Sequence, residues 1–401
     1  MSVKEQYDTY PYPAREPKDE RKRLIQGSPS HPLEIDHYLF GGKRNWREPI
    51  RILVAGGGTG DALVQMAQVL TWANRPYEIT YLDLSTSARK IAEARIAERK
   101  LKGVSFHTAS LLEAPEFGEF DYIDCCGVLH HLPEPDAGFS ALAKALAPEG
   151  GMGLMVYAPY GRSGVYPLQE AFGALSKDMD AKARLKLGKA VLSAVPKAHS
   201  FKQNQMLVDH RKSDAGFYDL LLHSQDRPYS VTELCGALAK AGLKPAGFLP
   251  EAQYDLDRLL PEGVERPEGM SDLEAMAVAE KLRGTLKTHV VYATHAARDV
   301  PKARDFSDPW LVPHLRTASG AQLAGLIAKK GKMILDFPTE SVTLKLPKEA
   351  AALITQVDGV TPLGAIQQRA GLDGFAFKAL WAAVDNALVP WNQMNYSRLL
   401  G

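Results

Sequence analysis

Between residues 50 and 157, short apolar runs alternate with stretches whose apolar positions recur every three or four residues. "IRILVAG", "YEITYLDLS", "VSFHTAS", "FDYIDCCGVL" and "GGMGLMVYA" read as five strands. Asp61 to Trp72, "ARKIAEARIAERK" and "GFSALAKAL" read as helices between them. This alternation predicts a parallel sheet joined by right-handed crossovers. "LAPEGG" predicts a helix end and a tight turn before the fifth strand.

From Tyr160 to about Pro228 the pattern is helical and irregular. "SVTELCGALAKAG" then opens on a capping box, Ser230 with Glu233, and stops at Gly242. "LKPAGFL" and "KTHVVYAT" are expected to be the last two strands of the same sheet. The fold class is therefore α/β, a Rossmann-like, seven-stranded, doubly wound sheet over residues 46–297, with helical inserts at about 160–228 and 250–285. Residues 1–45 form an N-terminal segment whose "YPYP" places Tyr10 and Tyr12 as an active-site lid. Residues 298–338 read as a linker. Residues 339–401 read as a small α+β, winged-helix-like domain: strand "SVTLKL", three short helices and a closing strand "LVPW".

Composition narrows the classes without choosing one. Of the 401 residues, 45% are hydrophobic and 24% charged, with a net charge of +1, so no overall bias toward nucleic acid or an anionic membrane is present. No apolar run approaches the roughly 18 residues of a membrane span. Cys125, Cys126 and Cys235 form neither a disulfide framework nor a zinc pattern, which predicts a reducing cytoplasm and no metal.

The phrase "AGGGTGD" follows the first strand and opens the first helix. A P-loop needs Lys and Ser/Thr after its last glycine, but Asp61 and Ala62 stand there. A dinucleotide turn wants its third glycine at position 61; the spacing present is Gly56, Gly58, Gly60. Such a turn suits a ligand whose amino-acid end lies against the loop. Asp83 closes the second strand, where a carboxylate can accept both ribose hydroxyls. The other reading of Asp83 is a cap on the helix that starts near Ser85.

"ILVAGGGTGD", "YLDLS" and "FDYIDCCGVLHHLPEPDAGFSALAKALAPEGGMGLMVY" resemble motif I, the acidic residue after it, motif IV and the following strand of class I S-adenosylmethionine-dependent methyltransferases. The resemblance implies S-adenosyl-L-methionine as cofactor, held by Gly56, Gly58, Gly60, Asp83, Leu84, Ser110, Leu111, Cys126, Gly127 and Val128. Two positions depart from the family pattern. Family members often carry an acid two residues before the first glycine, for the cofactor's amino group; here it is Val54. Many carry Asp after the third strand for the adenine amine; here it is Ser110.

Methyl transfer from a sulfonium is an in-line displacement, so the protein supplies alignment, a dry pocket and, for an amine or hydroxyl acceptor, a base. His130 is the candidate base, the alternative being a histidine that fixes the turn begun by "LPEP". Cys125 and Cys126 read as small core thiols. Tyr157 ends the fifth strand, at the sheet edge where ligands sit in open α/β folds. Asp219 and His223 are four apart in "FYDLLLHSQDRPY", on one helical face, and are candidates for the acceptor pocket.

From Glu340 to Trp391 four basic residues face five acidic ones, so the C-terminal module lacks the footprint of phosphate binding. The expected partners are a protein or small-molecule acceptor, without nucleic acid or membrane, and a homodimer is among the expectations. The rival reading is a non-catalytic adaptor that keeps the fold and binds a partner protein through its C-terminal domain.

Overall fold

The computed structural model describes residues 3–301, 303–304, 306–337 and 340–401. Seven strands form one sheet: β1 Ile50–Ala55, β2 Tyr77–Asp83, β3 Val104–Thr108, β4 Phe120–Cys126, β5 Leu146–Tyr157, β6 Leu243–Leu249 and β7 Thr288–His295. Their order is β3-β2-β1-β4-β5-β7-β6. β7 runs antiparallel to both neighbours and the remaining pairs are parallel. Strand order reverses between β1 and β4, which opens a crevice at the carboxyl ends of those two strands.

Both faces of the sheet are covered, and β1 shows how. Ile52 and Val54 pack with Leu63, Leu70, Tyr81 and Tyr122 on one side. Leu53 and Ala55 pack with Leu82, Phe139, Leu142 and Leu154 on the other. Alternate side chains of one strand thus feed two cores, which is why "RILVA" is apolar almost throughout. The helical insert has its own core around Phe172, Phe201, Phe217 and Leu221.

Three expectations need correction. "LAPEGG" is drawn into β5 rather than standing as a turn before it, with the register against β4 jumping between Leu146 and Gly151. The expected linker, 298–338, holds β8 Pro313–Leu315, a helix Gly320–Lys330 and β9 Lys332–Asp336; its boundary at 338–339 lies outside the described residues. A capping box, Ser319 with Gln322, starts that helix and was legible in the sequence. "LVPW" is no strand: Val389–Trp391 is a short 3-10 turn, because Pro390 lacks an N–H to give a ladder. The closing strand is β11, Met394–Tyr396, and it pairs with β8.

β9 pairs with β10, Ser341–Lys345, ahead of the three helices. No hairpin follows the helix Gly374–Leu388, so the wing of the expected winged-helix-like domain is not found there. This C-terminal part docks on the helix Pro32–Phe40. The buried Asp36 carboxylate accepts from Trp46 Nε1 (2.8 Å) and Ser397 Oγ (2.6 Å), while His37 Nδ1 accepts the Tyr396 N–H (3.0 Å). Among the described residues no helix is long and apolar enough to cross a membrane.

Candidate active site

A cavity of about 400 Å³ lies over the crevice between β1 and β4. One end is the glycine turn. Gly56 has φ +70°, and a Cβ there would sit 2.5 Å from Val128. Gly58 has φ +52°, and its Cβ would meet the Tyr12 carbonyl at 3.0 Å. Both positions need a residue without a side chain, because the backbone itself forms the wall. Gly60 does not line the cavity; it starts the helix Asp61–Trp72 and packs on Ala92.

Asp83 accepts the Gly58 N–H at one oxygen and the Ser85 N–H at the other, both at 2.7 Å. Ser85 caps the next helix with its own hydroxyl, so Asp83 is not that helix's cap. Burial pushes the Asp83 carboxyl up, and its remaining lone pairs face the cavity. Leu84, Ser110 and Leu111 continue this wall. The Ser110 hydroxyl accepts the Leu112 N–H (3.2 Å) within a capping box, leaving its own proton free to donate. Cys126, Gly127 and Val128 form the opposite wall.

The other end is built from residues far apart in the chain. Tyr7 donates to Asp219 Oδ1 and Tyr157 to Asp219 Oδ2, each at 3.0 Å. His223 Nε2 lies 3.3 Å from the Tyr7 hydroxyl, and its Nδ1 accepts the Gln225 N–H. His131 Nδ1 lies 2.7 Å from the Gln225 carbonyl oxygen, and its Nε2 is buried without a partner. Burial raises the Asp219 carboxyl and lowers His223 well below its ordinary value. Arg162 stacks over the Tyr157 ring at 3.6 Å and pairs with Asp226 at 3.0 Å. His131, Asp219 and His223 offer ligand atoms within 4.8 Å of one another. The two imidazoles, however, stack at 3.8 Å and only 18° apart, so their in-plane lone pairs do not converge on one ion.

Residues 53–152 match the family described as a methyltransferase domain, the span that holds the glycine turn, Asp83 and β4. This span is a methyltransferase domain. A 269-residue stretch is 30% identical to the uncharacterised protein syc1184_c of Synechococcus sp., over 65% of this chain and 62% of that one. This chain thus matches less than two thirds of that relative. A 74-residue stretch is 36% identical to the ubiquinone biosynthesis O-methyltransferase of Aromatoleum aromaticum, over 18% of this chain and 31% of that enzyme. Among solved structures, PKMT2 of Rickettsia typhi superposes with a TM-score of 0.66 at 16% identity, over 94% of this chain and 77% of that one. Its complex with AdoHcy superposes with a TM-score of 0.62 at 16% identity, over 92% and 75% of the two chains. At this identity the likeness speaks for the fold.

Nine of the ten residues expected around the cofactor line the cavity, all but Gly60. Of the four expected catalytic residues, Tyr157 and Asp219 line it. His223 stands behind Tyr7 and His131. His130 is off the wall, its ring 4.0 Å from that of Tyr157 and both nitrogens buried without partners. The neighbouring His131 faces the cavity instead, because the 3-10 turn Leu129–His131 aims the two rings differently. Tyr12 lines the cavity as expected of a lid, whereas Tyr10 stacks on Tyr218 of the insert at 5.1 Å.

Sequence reasoning missed Tyr7, His131 and Asp124. Asp124 lines the cavity and is the register partner of Val54 on the neighbouring strand, so the two side chains share one sheet face. It accepts from Ser30 Oγ at 2.6 Å, and no cation pairs with it among the described residues. Burial pushes its carboxyl up to about 6. An acid inside the apolar run "YIDCC" was the available signal.

Proposed function

We propose that this chain transfers a methyl group from S-adenosylmethionine to an acceptor held at the Asp219 end of the cavity, leaving S-adenosylhomocysteine. The observation that carries the reading is a single cavity with two chemically different ends, a glycine turn with Asp83 at one and a tyrosine–histidine–carboxylate cluster at the other. The residues present fit the cofactor. Backbone at Gly56–Gly58 lies bare where its amino-acid part needs close approach, and Asp83 has acceptor capacity left for the ribose hydroxyls. Leu84, Ser110 and Leu111 would flank the adenine. Asp124 would take the methionine ammonium, standing beside the position where family members often carry an acid.

When bound, the cofactor supplies an activated methyl on a sulfonium. The chain's own residues do the rest: Tyr7 and Tyr157 fix Asp219, the Gln225 carbonyl fixes His131, and the segment ahead of β1 roofs the cavity. That roof is bonded to the loop it covers, through Thr59 Oγ1 to the Pro13 carbonyl (2.7 Å) and Ser85 Oγ to Asp8 (2.8 Å). The acceptor is a protein side chain or a small molecule, and the free thiols suit a reducing cytoplasm. Calorimetric titration with S-adenosylmethionine and S-adenosylhomocysteine tests the reading. Binding of both is expected; a folded chain that binds neither would overturn it.

A further inference from the structure

The hydrogen-bond polarity of the Asp219 end says what kind of group completes it. The hydroxyls that reach Asp219 are already committed as donors. The Tyr7 and Tyr157 hydroxyls give their protons to the two Asp219 oxygens. His223 accepts the Gln225 N–H at Nδ1, so its Nε2 carries the ring proton and points it at the Tyr7 oxygen. His131 faces a carbonyl oxygen with Nδ1, which must therefore be its N–H. What remains unfilled is acceptor capacity: the bare Nε2 of His131 and the second lone pairs of the Asp219 oxygens.

Charge points the same way. Arg162 is paired with Asp226, whereas Asp219 has no ion-pair partner among the described residues. Tyr7 and Tyr12 add aromatic side chains to the same part of the cavity wall, and aromatic rings attract cations. Lys4, also on the cavity wall, is paired with Asp8 at the surface and does not fill the place. A phenolate or carboxylate would meet a buried like charge.

We propose that the acceptor is a primary alkylamine, entering as its ammonium with Asp219 as counter-charge and His131 Nε2 as base. This rests on the methyltransferase reading. The ammonium gives one proton to His131 Nε2; the freed nitrogen lone pair forms the N–CH3 bond as the S–CH3 bond breaks, the electron pair stays on sulfur, and a methylammonium leaves. Asp219 is never the proton acceptor; it keeps the charge of the bound amine balanced before and after transfer.

The test is binding to the full chain saturated with S-adenosylhomocysteine, followed by saturation-transfer NMR and calorimetry. The probes are n-butylamine, its isostere n-butanol, N-acetyl-lysine amide and phenol. The amines are expected to bind about tenfold or more tightly than the alcohol, the order of a charge-assisted hydrogen bond in a buried site. Asp219→Asn, a near-isosteric change, is expected to erase that preference while S-adenosylhomocysteine affinity stays within about twofold. Tighter binding of the lysine amide than of butylamine would point to a polypeptide side chain, and the reverse to a free amine; both support the assignment. Alcohol or phenol binding as well as the amines, no probe binding at all, or an Asn variant that keeps the preference would each overturn it and leave the methyltransferase reading standing. A native chain that fails to take up S-adenosylhomocysteine would overturn both. His131→Gln adds a second readout: the amines still bind, but labelled-methyl transfer to N-acetyl-lysine amide falls about 100-fold at neutral pH and recovers as the pH is raised toward that of free amine. An unchanged rate would remove His131 from the role.

Discussion

The two ends of the cavity were assembled in opposite ways. The end proposed for the cofactor comes from four short phrases, residues 56–58, 83–85, 110–111 and 126–128, each at the end of a strand or in the turn that follows it. The end proposed for the acceptor joins Tyr7, His131, Tyr157 and Asp219, the first and last of them 212 positions apart. Backbone carries the first end, and side chains held by other side chains carry the second. A turn that must expose its backbone leaves glycines at fixed spacing; a side-chain cluster leaves no spacing at all.

That contrast makes unequal demands on substitution. Gly58→Arg should abolish S-adenosylhomocysteine binding by calorimetry, since position 58 lines the cavity, a Cβ there already meets the Tyr12 carbonyl at 3.0 Å and the backbone sits at φ +52°. A variant that still binds would mean the loop is not the cofactor wall. Next comes pH. The Asp124 carboxyl is raised from an ordinary 3.8 to about 6, so the folded chain holds its proton over a window where the unfolded chain has lost it. Folding stability is then expected to fall as pH rises from about 4 to 6, by about 3 kcal/mol in all. Asp124→Asn should remove that slope in melting curves of the unliganded protein. S-adenosylhomocysteine at saturation should flatten it in the native chain.

Asp83→Ala should weaken cofactor binding by about 1.5–3 kcal/mol, as for lost hydrogen bonds to a charged group, and calorimetry reads it directly. Unchanged affinity would move the ribose elsewhere. The smallest effect belongs to the roof. Thr59→Val removes one hydrogen bond to the Pro13 carbonyl and should cost about 1 kcal/mol of stability in a denaturant titration. A loss several times larger would mean that the roof and the sheet unfold as one unit.

Much of the fold was legible because periodicity reports burial, and burial is what the sheet and its helices share. All seven strands stand where apolar runs predicted them, down to "LKPAGFL" and "KTHVVYAT" at the far edge. The C-terminal part was less legible for a physical reason. Its three-residue strands, Pro313–Leu315 and Met394–Tyr396, are too short to show a period and exist only by pairing with each other across the intervening helices. His130 and His131 were indistinguishable in sequence, since a single 3-10 turn decides which ring meets the cavity. Asp124 was visible as an acid in an apolar strand, but its meaning needed the register that sets it beside Val54.

That register has a genetic consequence. Two residues on adjacent strands, 70 positions apart in the chain, occupy neighbouring places on the same cavity wall, so a charge can change hosts while hardly moving in space. Loss of the acid at Asp124 should accordingly be suppressed from within the gene by Val54→Asp, an exchange of strands that pairwise swapping of the two codons would recreate. A lineage could drift from one arrangement to the other through an intermediate carrying both acids, and a motif read along β1 alone would record the passage as a loss.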